Sequence, residues 1–252
     1  MIRAELLRTV AYIWVAFGAY WMGASLFKRA PETESEKNRY GRWARIACLV
    51  VTFVLLFLER RTIPPVLLIF LCLVWAAAAL YFVTPAGSAR SGEFPLYRAL
   101  RLLVLAAVFA LLFWNRTGVG WLGTSFTHSS VALAITGFVL TLAGLALALW
   151  ARIYLGNYWS DKVVLRANHQ LIRTGPYACM RHPIYSGVLL AVAGTALVVD
   201  QWRGVLAFAI LLVNYSIKAR REERILADAF SDRFDEHKRN TGFLLPRFGS
   251  RN

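Results

Sequence analysis

The sequence predicts an all-α, polytopic transmembrane protein with about seven spans. Hydrophobic residues make up 58% of the 252 residues, charged residues make up 17%, and the mean hydropathy is +0.50. A soluble domain of this length needs more polar surface than this composition supplies. The positive charge also lies mainly between the long apolar runs, as membrane topology requires.

The apolar runs place the candidate spans one after another along the chain. The first is interpreted as a retained span and not a signal peptide, because no small-residue cleavage pattern follows it. Pro64-Pro65 separates the second span from the third and predicts a tight helical hairpin. Arg98 and Arg101 open the fourth span and can reach the interface. The predicted spans are 8–27, 44–58, 64–83, 98–114, 131–151, 184–199 and 203–218.

The fifth span is the cleanest, and its small residues Gly137, Ala143 and Gly144 predict close helix packing. If the C-terminal tail is cytoplasmic, most of the 29 Lys and Arg residues fall on the cytoplasmic side. We therefore attribute the net charge of +15 to membrane topology and not to nucleic-acid binding. Residues 1–130 are predicted to be N-terminal helices of unassigned role, and residues 131–252 a core with a cytoplasmic cofactor-binding region.

Two patterns are interpreted as uninformative. Cys48, Cys72 and Cys179 show no CxxC spacing, so they support neither a disulfide framework nor a metal site. The run from Gly118 to Gly123 matches GxGxxG, but it lies in a short loop between two spans and no acidic residue follows before Asp161. A dinucleotide fingerprint needs a preceding strand and an acid about 20 residues on. We interpret this run as an interfacial loop.

The polar stretch 152–187 is too long for a simple connection between helices and too aromatic for disorder. It contains, with the next helix, an ordered set of motifs: His169-Gln170-Leu171, Gly175-Pro176-Tyr177, Arg181-His182-Pro183-Ile184-Tyr185-Ser186-Gly187 and Glu222-Glu223. As an ordered set, these motifs resemble the isoprenylcysteine carboxyl methyltransferase family and, more broadly, membrane methyltransferases that include phospholipid N-methyltransferases. The resemblance covers about residues 150–248.

The resemblance implies an S-adenosyl-L-methionine-dependent methyltransferase with a site facing the cytoplasm. Such a site must hold an adenine, a ribose, an amino acid tail and a sulfonium, for which aromatic faces and a carboxylate are suited. Outside the motif, the tyrosines would suit an interfacial belt, and Glu222 and Glu223 would suit surface ion pairs; Glu223 is interpreted that way. The residues predicted to bind the cofactor are His169, Gln170, Leu171, Ile172, Tyr177, His182, Pro183, Ile184, Tyr185 and Glu222.

Lys218 and Arg181 are the predicted catalytic residues, but the acceptor half departs from the family pattern. Lys218 stands where the family has an Arg that is thought to meet a substrate carboxylate, and lysine lacks the bidentate fork. Phe234 and His237 stand where the family usually has two tyrosines. His237 or Glu223 could accept a proton from an amine or phenol acceptor.

The predicted acceptor is lipid-like or lipidated and reacts at a carboxylate, because a site at the ends of spans can admit an apolar tail from the side. A phospholipid or amine N-methyltransferase is the first alternative, and a membrane NADPH-dependent sterol-type reductase or a non-enzymatic membrane protein is the second. No metal is predicted. The excess of Arg over Lys suggests a GC-rich bacterial genome and hence the bacterial inner membrane.

Overall fold

The structure is a computed structural model, and it describes residues 2–26, 95–114, 119–127, 130–156 and 171–247. These ranges contain helices and no strands, so the all-α class is confirmed for this part of the chain. The spans predicted at 44–58 and 64–83 lie outside the described residues. The helices are α1 (Ile2–Leu26), α2 (Pro95–Phe113), α3 (Val131–Leu155), α4 (Pro183–Val199), α5 (Trp202–Phe230) and α6 (Asp232–Asn240), with 3-10 turns at Gly120–Gly123 and Gly175–Ala178.

Among the described helices, α3 and α5 are long and apolar enough to cross a membrane. Leu103–Phe113 within α2 and the whole of α4 are shorter apolar helices. About seven spans therefore stays a prediction. The span predicted at 203–218 is only the first part of α5, which continues as a helix through its charged segment to Phe230. This continuation places Lys218 and Glu222 on one rigid element.

The chain divides into two compact units, Met1–Val15 with Ala107–Asn252, and Ala16–Ala106. In the second unit, the rings of Phe17 and Trp21 lie 5.2 Å apart. The first unit contains α3 to α6, in which α4 packs against both α3 and α5. The predicted division at residue 130 stays a prediction.

Glycines let α3 and α4 approach each other at backbone distance. A Cβ atom on Gly144 would lie 2.5 Å from the carbonyl oxygen of Gly187, and one on Gly187 would lie 2.6 Å from the carbonyl oxygen of Gly144. The pair Gly137 and Gly194 repeats this reciprocal contact two turns away. The packing expected of Gly137 and Gly144 is therefore present, whereas Ala143 is exposed and takes no part. Small residues at such contacts are typical of membrane helix pairs.

The C-terminal end of α4 is fixed by the buried carboxylate of Asp200. Asp200 adopts a left-handed conformation with φ of 54° and is 2% exposed. Its two oxygens lie 3.0 Å from Nη1 of Arg3, 2.6 Å from Oγ of Ser125 and 2.5 Å from Oγ1 of Thr127. A buried charge must be paired and hydrogen-bonded in this way. The network fixes the turn between α4 and α5, and with it the spacing of those two helices.

We predict that Gly144→Leu destabilises the protein by more than about 3 kcal/mol, because the added side chain has only backbone to displace. Thermal unfolding in detergent measures the effect. Ala143→Leu is the matched control, since it adds the same side chain one residue away on an exposed position. Equal melting temperatures for the two variants would contradict the packing described above.

Candidate functional site

The candidate site is built where α4 begins. Pro183 occupies the first turn of α4 and His182 is its N-cap residue, as a proline with fixed φ favours. Both residues are buried. The backbone just before them is held by the C-terminal segment, because the amide of Arg181 donates to the carbonyl of Gly242 at 2.9 Å and the amide of Gly242 donates to that of Cys179 at 3.0 Å.

Arg181 forms a clamp between α5 and the C-terminal segment. Its Nε donates to Oε1 of Glu223 at 2.6 Å, and the two side chains are only 9% and 12% exposed. Its Nη1 donates to the carbonyl oxygen of Thr241 at 2.5 Å, and its guanidinium lies 5.8 Å from the centre of the Phe243 ring. These contacts use the planar fork of arginine in the way that lysine could not.

His182 lies between two consecutive carboxylates of α5. Its Nε2 is 3.2 Å from Oε1 of Glu223, and its Nδ1 is 3.7 Å from Oε2 of Glu222. The imidazole stacks on the ring of Tyr185 at 5.6 Å and meets the edge of Phe243 at 5.4 Å. The imidazole is therefore fixed in place by charge on one side and by aromatic rings on the other.

Glu222 is the carboxylate that faces the aromatic rings of Tyr185 and Tyr215. Its Oε1 accepts a hydrogen bond from the hydroxyl of Tyr185 at 2.5 Å and lies 3.8 Å from Nζ of Lys218. The ammonium of Lys218 is also 5.2 Å from the centre of the Tyr185 ring, within cation–π range. The ring of Tyr215 packs on Tyr185 at 4.8 Å. Carboxylate, ammonium and two phenol rings thus meet on one side of α5.

Tyr177 lies near this group, in the 3-10 turn before α4. It is 8% exposed, and its hydroxyl donates to the carbonyl oxygen of Ala151 at 3.4 Å. Burial raises the pKa of Tyr177 above its ordinary value, the charge of Glu222 raises it further, and that of Arg152 lowers it. Its hydroxyl therefore stays protonated near neutral pH and serves as a hydrogen-bonding group.

The start of the motif region is only partly described. His169 and Gln170 lie outside the described residues, whereas Leu171, Ile172 and Ile184 are half-buried. These five predicted roles are not tested. Further on, Gly175 has φ of +59°, and a Cβ atom there would lie 2.7 Å from the ring of Tyr154. Gly175 therefore satisfies a backbone and a steric requirement at once.

Both residues that depart from the family pattern after the Glu pair, Phe234 and His237, are buried side chains of α6. Phe234 is 2% exposed and His237 is 5% exposed. Burial lowers the pKa of His237 to about 4, and the charges of Arg173 and Arg181 lower it further, against the opposing charge of Glu223. The imidazole is therefore neutral near pH 7. A neutral imidazole can accept a proton.

The structure brings together half of the predicted site residues that lie in its described ranges. Lys218, Tyr177, His182, Tyr185 and Glu222 converge at the junction of α4 and α5. Arg181 is directed instead toward Glu223 and the C-terminal carbonyls, and its catalytic role stays a prediction. The expectation that Glu223 is a surface ion pair is wrong, because its partner Arg181 is buried with it.

Sequence reasoning missed three contributors, namely Arg152, Tyr215 and Phe243. Arg152 is buried at the end of α3, but the last charge after an apolar run is usually interpreted as an interfacial residue. Tyr215 lies seven residues before Glu222, a spacing that returns to the same helix face and could have been noticed. Phe243 carried no signal, because its contact with His182 joins residues far apart in the chain.

The described part of the chain is helical and groups a carboxylate with aromatic rings where α4 begins. Comparison with known proteins shows which family it is similar to. Residues 135–228 match the profile of the isoprenylcysteine carboxyl methyltransferase family. This match covers less than half of the chain, and it confirms the resemblance carried by the motifs. The matched residues include α4, most of α5 and the residues around Glu222.

Three curated relatives show the range of the similarity. The chain is 32% identical over 149 residues to the cobalt-zinc-cadmium resistance protein CzcN of Cupriavidus metallidurans, covering 58% of this chain and 62% of that one. It is 27% identical over 125 residues to protein-S-isoprenylcysteine O-methyltransferase of Saccharomyces cerevisiae, covering 48% and 52%. It is 36% identical over 72 residues to methanethiol S-methyltransferase of a Pseudomonas species, covering 28% and 26%. The chain thus spans less than two thirds of these relatives.

We predict that His237 makes the protein less stable as the pH falls from 6.5 to 4. The unfolded chain takes up a proton at the ordinary histidine pKa of 6.5, whereas the folded protein takes it up only near pH 4. The contribution is complete above pH 6.5 and is lost through that window, by about 1–2 kcal/mol at pH 5.

The measurement is the melting temperature in detergent at pH 7.5 and pH 5 for the wild type and His237→Gln. The variant should lose less stability than the wild type on acidification. Lys238→Gln, on the exposed side of the same helix, is the control and should behave like the wild type. A His237→Gln variant with the wild-type pH dependence would contradict the assignment.

Proposed function

We propose that this protein is an S-adenosyl-L-methionine-dependent methyltransferase of the membrane that acts on a lipid-like or lipidated carboxylate. The observation that supports this proposal most directly is the grouping of Glu222, His182, Tyr185 and Lys218 in a segment that matches a methyltransferase family. Two of the relatives are named as methyltransferases, one at oxygen and one at sulfur.

The side chains present fit the proposed cofactor chemically. A group with a cationic sulfonium and an ammonium favours a site with a carboxylate and aromatic faces, and Glu222 lies beside the stacked rings of His182, Tyr185 and Tyr215. Glu222 keeps 21% of its side-chain surface exposed, so it remains accessible to a ligand. His182, Pro183 and Tyr185 would hold the cofactor together with Glu222.

S-adenosylmethionine would supply a methyl group on its sulfonium, and an acceptor that attacks the methyl carbon in line would release S-adenosylhomocysteine. For such a displacement, orientation and exclusion of water supply most of the rate. In this chain Lys218 would orient an anionic acceptor, because the residue is buried and its ammonium lies 5.2 Å from the centre of the Tyr185 ring. Arg181 and Glu223 would act as positioning residues that fix His182, since both are engaged with each other.

A carboxylate acceptor needs no general base, because it is already an anion. Lys218 favours a carboxylate acceptor, because its ammonium is a positive point charge one helical turn from Glu222. An amine acceptor would need a proton acceptor, and the imidazole of His237 is neutral but is a weak base because its pKa is lowered to about 4. The nature of the product methyl group distinguishes the two.

We predict that the detergent-purified wild type binds S-adenosylhomocysteine and that Glu222→Ala binds it at least about 10-fold more weakly. Loss of a hydrogen bond to a charged partner costs about 1.5–3 kcal/mol, which corresponds to this factor or more. Isothermal titration calorimetry measures it. Asp228→Asn is the control, because it removes an exposed carboxylate of the same helix. A wild type that fails to bind would end the methyltransferase proposal.

We further predict that Lys218→Met lowers methyl transfer to N-palmitoylglycine in mixed micelles by about 100-fold, as expected for loss of one charged orienting group. Binding of S-adenosylhomocysteine should change little, and Lys218→Arg should retain transfer. Tritium from labelled S-adenosylmethionine should enter the lipid as an alkali-labile ester. Alkali-stable label in phosphatidylethanolamine, unaffected by Lys218→Met, would favour the amine acceptor instead.

A further inference from the structure

The helix that carries Lys218 and Glu222 also carries a buried side-chain oxygen whose hydrogen bonding is unsatisfied within the described ranges. The Oδ1 atom of Asn214 is buried and has no hydrogen-bond partner among the described residues. A buried carbonyl oxygen without a hydrogen bond is destabilising, and most such atoms in folded proteins are paired. The cost is larger in the apolar part of a membrane helix, where water does not compensate it.

The place of Asn214 on α5 connects it to the site. It lies one helical turn before Lys218 and two turns before Glu222, on the same side of the helix as Leu211 and Lys218, which are buried. Residues four apart lie on one helix face about 6 Å along the axis from each other. The neighbouring residue Tyr215 packs on Tyr185 within the site. Asn214 therefore continues the polar row of Glu222 and Lys218 into the apolar part of α5.

A structural role would require a bond that the structure does not show. Asparagine in membrane helices usually bonds to a neighbouring helix, as Thr141 and Thr195 do here with hydroxyls 3.3 Å apart and with Trp14 donating to Thr195 at 3.0 Å. Those polar groups are paired, whereas Oδ1 of Asn214 is not. Within the described ranges no donor satisfies it, and a donor group on a ligand would.

We propose that Asn214 is a specificity residue of the acceptor site, where Oδ1 accepts a hydrogen bond from an N–H or O–H group of the methyl acceptor. This inference rests on the proposed function. Asn214 and Lys218 are separated by about 6 Å of rise along α5. An acceptor whose carboxylate pairs with Lys218 can therefore reach Oδ1 of Asn214 with a donor that is close to that carboxylate, such as an adjacent amide N–H. The chemical class is therefore an amphiphile with a hydrogen-bond donor beside its carboxylate.

The test compares N-palmitoylglycine, which has the amide N–H, with N-methyl-N-palmitoylglycine, which lacks it. The wild type and Asn214→Leu are measured by thermal shift in detergent with each amphiphile, and without either. We expect the wild type to bind the N–H amphiphile at least about 10-fold more tightly, and Asn214→Leu to bind both alike. Without amphiphile, Asn214→Leu should melt at the wild-type temperature or above it, because the substitution removes an unsatisfied polar atom.

Val213→Ala is the matched control, since Val213 is the adjacent residue and is 60% exposed; it should keep the wild-type preference. Binding of S-adenosylhomocysteine is measured on each variant, so that failure of the methyltransferase proposal is seen separately in the wild type. A wild type without preference between the amphiphiles, a preference that survives in Asn214→Leu, or a lower melting temperature of that variant without amphiphile would each overturn the inference.

Discussion

The ion pair between Arg181 and Glu223 is the contact on which the rest of the site depends. It joins the segment before α4, the charged part of α5 and, through the carbonyl oxygen of Thr241, the C-terminal segment. Both side chains are largely removed from solvent, so the attraction between them must offset a large desolvation cost. Loss of one partner would leave a buried charge, at about 3–5 kcal/mol. The value of this pair is therefore the geometry that it enforces more than net stability.

That geometry explains why two consecutive glutamates have different environments. Neighbouring helix residues point about 100° apart, so Glu223 faces Arg181 while Glu222 faces Tyr185 and Lys218. Because Glu223 neutralises Arg181, the charge of Glu222 is left to the aromatic side of the site. His182 bonds to Glu223 and stacks on Tyr185, and it thereby transmits the position of the clamp to the group that would bind a ligand.

Local features of this chain could be predicted from the sequence, and contacts between distant segments could not. Pro183 predicts the start of α4 because its ring fixes its own backbone. Gly144 predicts a close helix contact because it lacks a side chain. The environment of Glu223 depends on Arg181, which is 42 residues away. The burial of His237 also depends on contacts with distant segments. It could not be predicted, because the charged sequence of α6 is typical of a surface helix.

Within α5, the row of side chains is negative at Glu222, positive at Lys218 and neutral at Asn214, and this order separates the two halves of the proposed site. The carboxylate beside the aromatic rings suits a cationic cofactor, and the ammonium one turn away suits an anion. One turn further lies the amide oxygen of Asn214, which is buried and has no partner in the described part of the chain. A ligand that satisfies all three must present a cation, an anion and a neutral donor in that order along the helix. No single small molecule is required to do so, because a cofactor can supply the first and an amphiphilic acceptor the other two.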